Sequence, residues 1–359
     1  MKLKALLLAL AACSIGASVA TAQPAAPAPT TSKTFTVAGA TAPQVIQEYA
    51  TVLRTVLDVR DLTTDPATST VTVTGSADLL IMVDWLTREL NSPPAAPKFR
   101  NVPMEQIPVP ASLPAMGPGP RDEAVRVFFL AHTKTPQAMQ ELLTTLRTVA
   151  DVQKVFNYTL QTALVVRAPT AQMALVAYLI GELDAAPGSP HTAPEFPFAP
   201  PVGPASVVRV FFLSHATSPA AVQQILTALR TVVGIMKVFN NTALASLTVR
   251  GTSADLAASD WLIRTLDSDP GSNAQTVSPE YRISGAAPND DTIRVFYSPR
   301  SIGPAGIQQY VSLLRTQQTA LKVSSFASPT ALIVRGSASQ LTQAEQSLGA
   351  GDWAKATTP

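Results

Sequence analysis

The chain has 359 residues, too many for one small core and enough for several. Its 26 Lys and Arg balance 24 Asp and Glu, and a net charge of +2 gives no bulk-charge argument for nucleic acid. Much of the 46% hydrophobic content is alanine, and no stretch beyond the N-terminus reaches the ~18 apolar residues that a membrane-spanning helix needs.

Residues 1–22 read as a secretory signal peptide. Lys2 and Lys4 are followed by an apolar run from Ala5, and Ala20-Thr21-Ala22 is a small-x-small cleavage site before Gln23. The chain is therefore expected to be exported, to the periplasm in a Gram-negative-type cell. Cys13 is the only cysteine and lies inside the signal, so the mature domains have no disulfide to make. Leu10-Ala11-Ala12-Cys13 also resembles a lipobox. Two readings stand: a cleaved signal, which the Ala-x-Ala site fits better, and a lipoprotein anchored through Cys13. Residues 23–33 are rich in Ala, Pro and Thr and read as an unstructured leader.

From there a pattern of roughly sixty residues occurs four times without a gap. Val125 to Asp184 maps onto Val208 to Asp267 at a constant offset of 83, and Ile293 to Asp352 follows at a further 85. Ser32 to Asn91 is a weaker first copy. Leu-Arg-Thr marks each, at Leu53-Arg54-Thr55, Leu146-Arg147-Thr148, Leu229-Arg230-Thr231 and Leu314-Arg315-Thr316. The modules are bounded as 34–91, 124–185, 207–268 and 292–352, with a tail at 353–359, and 124–185 and 207–268 are each expected to fold alone. Proline-rich linkers at 92–123, 186–206 and 269–291 separate them. Dense proline excludes helix and central strand and favours extended, semi-rigid spacers, so the modules are expected to be held apart.

Within a copy the apolar period changes. Val125, Val127 and Phe129 alternate with Arg126, Phe128 and Leu130, which predicts a strand. Thr135-Pro136 and Ser218-Pro219 read as N-cap and first helical position, and Ala42-Pro43 and Gly303-Pro304 keep the proline. Met139, Leu142, Leu143 and Leu146 give an amphipathic helix. Short strands follow at 153–157 and 163–167, then a second helix at 171–183. The fold class is α+β: four tandem β-α-β-β-α modules, each a three-stranded sheet with two helices on one face.

The hairpin strands read Ser69 to Gly75 (STVTVTG), Thr162 to Ala168 (TALVVRA), Ala245 to Gly251 (ASLTVRG) and Thr330 to Gly336 (TALIVRG). The closing helix ends in Leu183-Asp184 and Leu266-Asp267, and in Leu90-Asn91 in the first copy. A His follows the first strand in Leu130-Ala131-His132 and Leu213-Ser214-His215. With the element order, these features resemble the N-terminal ring-building domains of bacterial secretins, the outer-membrane channels of type II and type III secretion and of type IV pili. The resemblance covers all four copies. It implies a periplasmic scaffold. Only seven residues follow Asp352, so no channel region is expected from this sequence.

No chemistry is signalled. His132 and His215 stand one per module, where copies one and four have Gly39 and Arg300, and His191 lies in a linker, so no zinc site is expected. There is no Gly-x-Ser-x-Gly, phosphate loop or His-Glu-x-x-His. A KH-type reading fails for want of a Gly-x-x-Gly loop, and no nucleic acid partner is expected. No catalytic residue, metal or cofactor is assigned. The Arg of each Leu-Arg-Thr reads as a helix-dipole partner or a contact to a neighbouring module. Trp85, Tyr178 and Trp261 occupy equivalent closing-helix positions and read as core.

The strand arginines are the candidate interface. If Val125, Val127 and Phe129 face the helices with Leu164 and Val166, an outer face carries Arg126, Phe128 and Arg167; Arg209, Phe211 and Arg250; and Arg294, Phe296 and Arg335. Changing Arg209 and Arg250 to Ser would then leave the fold intact. Thr72 and Thr74 replace this pattern in copy one, which marks it as a terminal module. The function expected is an exported, non-enzymatic scaffold or adaptor in the cell envelope, linked to a secretion or type IV pilus system. Its partner would be a secretin-like protein or a second copy, with no membrane-spanning segment in the mature chain. The alternative is a periplasmic binding module for a cell-envelope polymer or exported ligand.

Overall fold

The computed structural model describes residues 30–92, 106–114, 122–186, 193–200, 203–269, 279–298, 302–317 and 320–349. The signal peptide, Cys13, His191, Arg300 and the tail lie outside the described residues.

The first module runs β1 (Thr31–Thr36), α1 (Pro43–Val56), β2 (Asp61–Asp65), β3 (Thr70–Gly75) and α2 (Ala77–Asn91). The second is preceded by β4 (Gln106–Pro108) and runs β5 (Glu123–Phe129), α3 (Pro136–Val149), β6 (Val155–Tyr158), β7 (Ala163–Pro169) and α4 (Thr170–Leu183). The third is preceded by β8 (Phe196–Phe198) and runs β9 (Ser206–Phe212), α5 (Pro219–Ala228), β10 (Lys237–Asn241), β11 (Ser246–Gly251) and α6 (Ser253–Leu266). The fourth is preceded by β12 (Glu280–Arg282) and runs β13 (Thr292–Tyr297), α7 (Pro304–Gln317), β14 (Lys322–Ala327), β15 (Thr330–Gly336) and α8 (Ala338–Gly349). The class is α+β, as the periodicity predicts. The hydroxyls of Thr135 and Ser218 accept from the amides of Ala138 and Ala221, both at 3.2 Å, and set the helix starts.

Two expectations about the spacers are corrected. The strand β1 begins at Thr31, inside the segment read as a leader, because Thr34 and Ser32 pair with Thr72 and Thr74 of β3. Each linker also contributes an edge strand, so the sheets after the first have four strands, ordered β4-β5-β7-β6, β8-β9-β11-β10 and β12-β13-β15-β14. Pro108 and Pro197 are tolerated because an edge strand uses only one of its sides for ladder bonds.

The modules are stacked, not held apart. Helix α1 lies against β6, α3 against β10 and α5 against β14. The cores of the first three modules therefore each straddle two modules, and that of the fourth is its own. Val125, Val127, Ala163 and Val165 of the second module join the core built around Leu53 and Leu86 of the first. Val208 and Val210 join the core of the second, and Ile293, Val295 and Ile333 that of the third.

This stacking inverts half of the inferred strand orientation. The register pairs Val125 with Arg167, Arg126 with Val166, Val127 with Val165 and Phe128 with Leu164. Cross-strand partners share a face. Phe128, Leu164 and Val166 therefore face the module's own helices, and Val125, Val127 and Arg167 face the preceding module. The expected Arg126/Arg167 pair is split across opposite faces, as are Arg209/Arg250 and Arg294/Arg335. The central strands are buried on both sides, so alternation gives no sense of which side is which.

The Leu-Asp ending of the closing helix has a structural role. The carboxylate of Asp184, fully buried, accepts the amides of Ala131, His132 and Thr133 at 2.6–2.9 Å. Asp267 does the same for Ser214, His215 and Ala216 at 2.7–2.8 Å. Asn91 accepts the Ala38 amide at 2.9 Å and donates to the Thr36 carbonyl at 2.8 Å. The histidine positions thus matter through their backbone, and both side chains are exposed. Asp184→Ala leaves three amides unsatisfied and is expected to lower stability by about 3 kcal/mol in urea unfolding. Exchange at 131–133 should quicken with it, and Asp184→Asn should lose less, since Asn91 already fills this place in the first module.

Candidate functional site: the strand arginines and the module junctions

Arg167, Arg250 and Arg335 occupy equivalent places on the middle strand of each hairpin and reach back to the end of the preceding module's first helix. The last carbonyls of a helix lack intrahelical donors and carry the negative end of its dipole. Arg250 donates to the Val149 carbonyl and to Asp151, both at 2.8 Å. Arg335 donates to the carbonyls of Val232 and Val233 at 3.0 and 2.7 Å. Arg167 donates to Asp58 at 3.1 Å, to the Pro114 carbonyl at 2.6 Å and to Glu123 at 2.8 Å. It is completely buried. Five donors in a rigid fork let one side chain serve several acceptors at once.

Asp58 and Asp151 sit just beyond their helices with φ of 58° and 57°, and Gly234 takes the third such place at 92°. Asp tolerates this left-handed conformation and also offers a carboxylate. Where Gly234 replaces it, Arg335 uses backbone carbonyls instead. Lys154 and Lys237 pair with Asp58 and Asp151, whereas Lys322 turns to Asp290 at 2.6 Å. A third contact recurs ten residues earlier, nearly three helical turns back along the same helix. Glu48 accepts from Asn157 at 3.1 Å, Glu141 from the Thr242 amide at 2.8 Å and Gln224 from the Ala327 amide at 2.9 Å. Repetition at fixed offsets of Lys, of Asp or Gly, and of Glu or Gln was the available sequence signal for these junctions.

The closing-helix aromatics are half-buried, pack against the shared cores as expected, and also border the junctions. Tyr178 stacks on Phe196 with centroids 5.0 Å apart, and Trp261 on Tyr281 at 5.3 Å. Trp85 and Ile107 both pack against the core that the first two modules share. Each partner lies on a linker edge strand. At the third junction Trp261, Tyr281 and Tyr297 line a cleft of about 460 Å³ with Asp260 and Arg264 on its rim.

Phe128, Phe211 and Phe296 are 3–6% exposed and lie in the cores, so they are not surface anchors. Above them lie the other basic residues. Lys33 pairs with Asp84 at 2.6 Å, Arg209 with Asp260 at 3.2 Å, and Arg294 with Glu345 at 2.8 Å. The hydrogen bond from Lys33 holds the Asp84 carboxyl below its ordinary range, against a small opposing effect of burial. Arg126 has only the ring of Phe128, 4.7 Å away, and its Nε is buried without a hydrogen-bond partner. Desolvation pushes its guanidinium pKa down.

The arginines of Leu-Arg-Thr stay within their modules. Arg147, Arg230 and Arg315 donate to the carbonyls of Val155, Val238 and Val323 at 3.0, 2.9 and 2.7 Å. The two ends of the stack are polar. The back of the first sheet is a ladder of hydroxyls, with Ser32–Thr74 at 2.7 Å and Thr34–Thr72 at 2.9 Å. On the last module Gln309, Gln317 and Gln346 are exposed where Glu141, Val149 and Tyr178 face a neighbour, with Leu313 at 38% exposure among them.

No family model matches this chain, and no curated protein does. Solved structures include Aeromonas hydrophila ExeD, at 13% identity over 86% of this chain and 59% of that one, TM-score 0.16. The type II secretion system secretin GspD of E. coli K12 aligns at 11% over 86% and 58%, TM-score 0.16. The aspartate kinase of Synechocystis aligns at 11% over 93% and 56%, TM-score 0.18. The chain thus spans under two thirds of each. Superpositions this loose do not separate one fold from another, and the module fold rests on the sheet order and register above. Among the described residues no helix is long and apolar enough to cross a membrane.

The tolerance expected for replacing Arg209 and Arg250 together is corrected for Arg250, which is 10% exposed and holds a helix end. Arg167→Met breaks the buried pairing of Arg167 with Glu123 and Asp58 and should destabilise the chain by about 3–5 kcal/mol in denaturant unfolding. Arg209→Met, at a half-exposed pair, should change stability by about 1 kcal/mol or less.

Proposed function

We propose that this chain is an exported, non-enzymatic scaffold of secretin-N-like modules that holds protein-binding surfaces at fixed spacing in the cell envelope. It would serve a secretion or type IV pilus assembly, and its partner would be a secretin-like protein or another copy. The observation that carries this reading is the junction. A buried arginine, a capped helix end and a shared apolar core recur three times and make one body of four modules. The repeated polar chemistry is spent on joining modules, which suits a spacer of defined length. The signal-like N-terminus supports export, and the hairpin and closing-helix motifs support the link to secretion.

Small-angle scattering of the mature chain should fit a single stacked particle whose dimensions hold between low and high salt, because apolar contacts and buried arginines are little screened. A salt-dependent, bead-like profile would argue against it. Capture of a purified secretin or of a second copy is expected, and retention on peptidoglycan alone would instead support a polymer-binding module.

A further inference from the structure

The four modules carry one natural experiment. In three of them the basic residue at the second inward-facing place of the first strand meets a carboxylate on the closing helix, as Lys33–Asp84, Arg209–Asp260 and Arg294–Glu345. Two of these arginines also have a second acid on the linker edge strand: Glu195 beside Arg209 at 4.0 Å, and Glu280, whose Oε2 accepts from Arg294 Nε at 2.8 Å. In the second module both acids are gone. The closing-helix place is Ala177, and the residue paired across from Arg126 on the edge strand is Gln106.

What remains is a half-buried guanidinium held over Phe128 with a buried, unsatisfied Nε. A desolvated cation without an acceptor is costly, and among the described residues none is placed for its Nε. The equivalent sites show which group fits: a carboxylate borne on a helix, arriving from the side of α4. Ala177 leaves room for that side chain, and Gln106 removes a competing acid. We infer that Arg126 is a docking point for an acidic side chain, Asp or Glu, presented by a helix of a protein partner. This rests on the scaffold reading above and names the chemistry of its partner; Arg of this kind, rigidly placed on a strand, binds carboxylate with two donors at little loss of freedom.

The probe is a short helix-forming peptide with one Glu, beside its Gln counterpart, added to the full mature chain while the Arg126 Nε–H resonance is followed by NMR. The Glu peptide should shift that resonance saturably and the Gln peptide should not. Ala177→Asp, which restores the internal acid, should keep the fold and weaken the peptide by about tenfold or more. If Ala177→Asp does not fold, Arg126→Gln serves in its place, followed through the neighbouring amides of β5. A missing shift, equal shifts with both peptides, or undiminished binding to the variant would each overturn the site. If Ala177→Asp still captures a secretin or second copy as the parent does, the scaffold reading survives and this docking point is wrong.

Discussion

A guanidinium placed against the C-terminal end of a neighbouring helix is the contact on which the stack depends. Helix ends leave carbonyls without donors, and a sheet laid over such an end must supply them or bury them unsatisfied. Arg250 and Arg335 supply them from the middle strand of the next module's sheet, and Arg167 from the same place reaches the Asp58 carboxylate just past its helix. Arginine suits this place because its charge complements the helix dipole and its fork reaches a carbonyl and a carboxylate together. The acceptors need not be the same each time. Asp58 and Asp151 give carboxylates, while at the helix end before Gly234 the Val232 and Val233 carbonyls serve and the carboxylate comes from Asp290.

Once that contact is made, module and core cease to coincide. A sheet of three or four short strands cannot be buried on one face by two helices and left greasy on the other, and here the second face is closed by the helix of the module before. The linkers follow from the same constraint. Instead of only spacing the modules, they add the edge strands Gln106–Pro108, Phe196–Phe198 and Glu280–Arg282 to the sheets, and two of these stack Phe196 and Tyr281 on an aromatic residue of the preceding closing helix. Where there is no neighbour the faces turn polar, with Ser32, Thr34, Thr72 and Thr74 at one end and Gln309, Gln317 and Gln346 at the other. Repeat arrays need such outer faces to avoid further association.

Element order was legible because each element has a local signal: proline at the helix starts, a 3.6-residue stripe in α3, a polar turn in each hairpin. The orientation of the first strand was not. In Val125 to Phe129 every residue but Arg126 is apolar, so both assignments of faces look equally good until the register pairs Arg126 with Val166. The information lay in comparing copies. Thr72 and Thr74 stand where Val165 and Arg167 do, and a face that is polar only in the first copy is a face that later copies bury. Proline density misled for a different reason, since it excludes central strands and says nothing against edge strands.

The two sets of strand arginines differ in what they ask of their surroundings. Those on the back face combine carbonyls with nearby carboxylates, Asp58 and Glu123 for Arg167, Asp151 for Arg250 and Asp290 for Arg335, and the Val232 and Val233 carbonyls let the third junction form with Gly234 in the Asp place. Those on the front face depend on side-chain acids at two named places, and there the modules differ: Asp84 alone, Asp260 with Glu195, Glu345 with Glu280, and neither beside Arg126. Architecture and specificity are thereby separated across the thickness of one strand. A change on the front face alters a surface without loosening the stack, whereas a change on the back face alters the spacing of every surface beyond it.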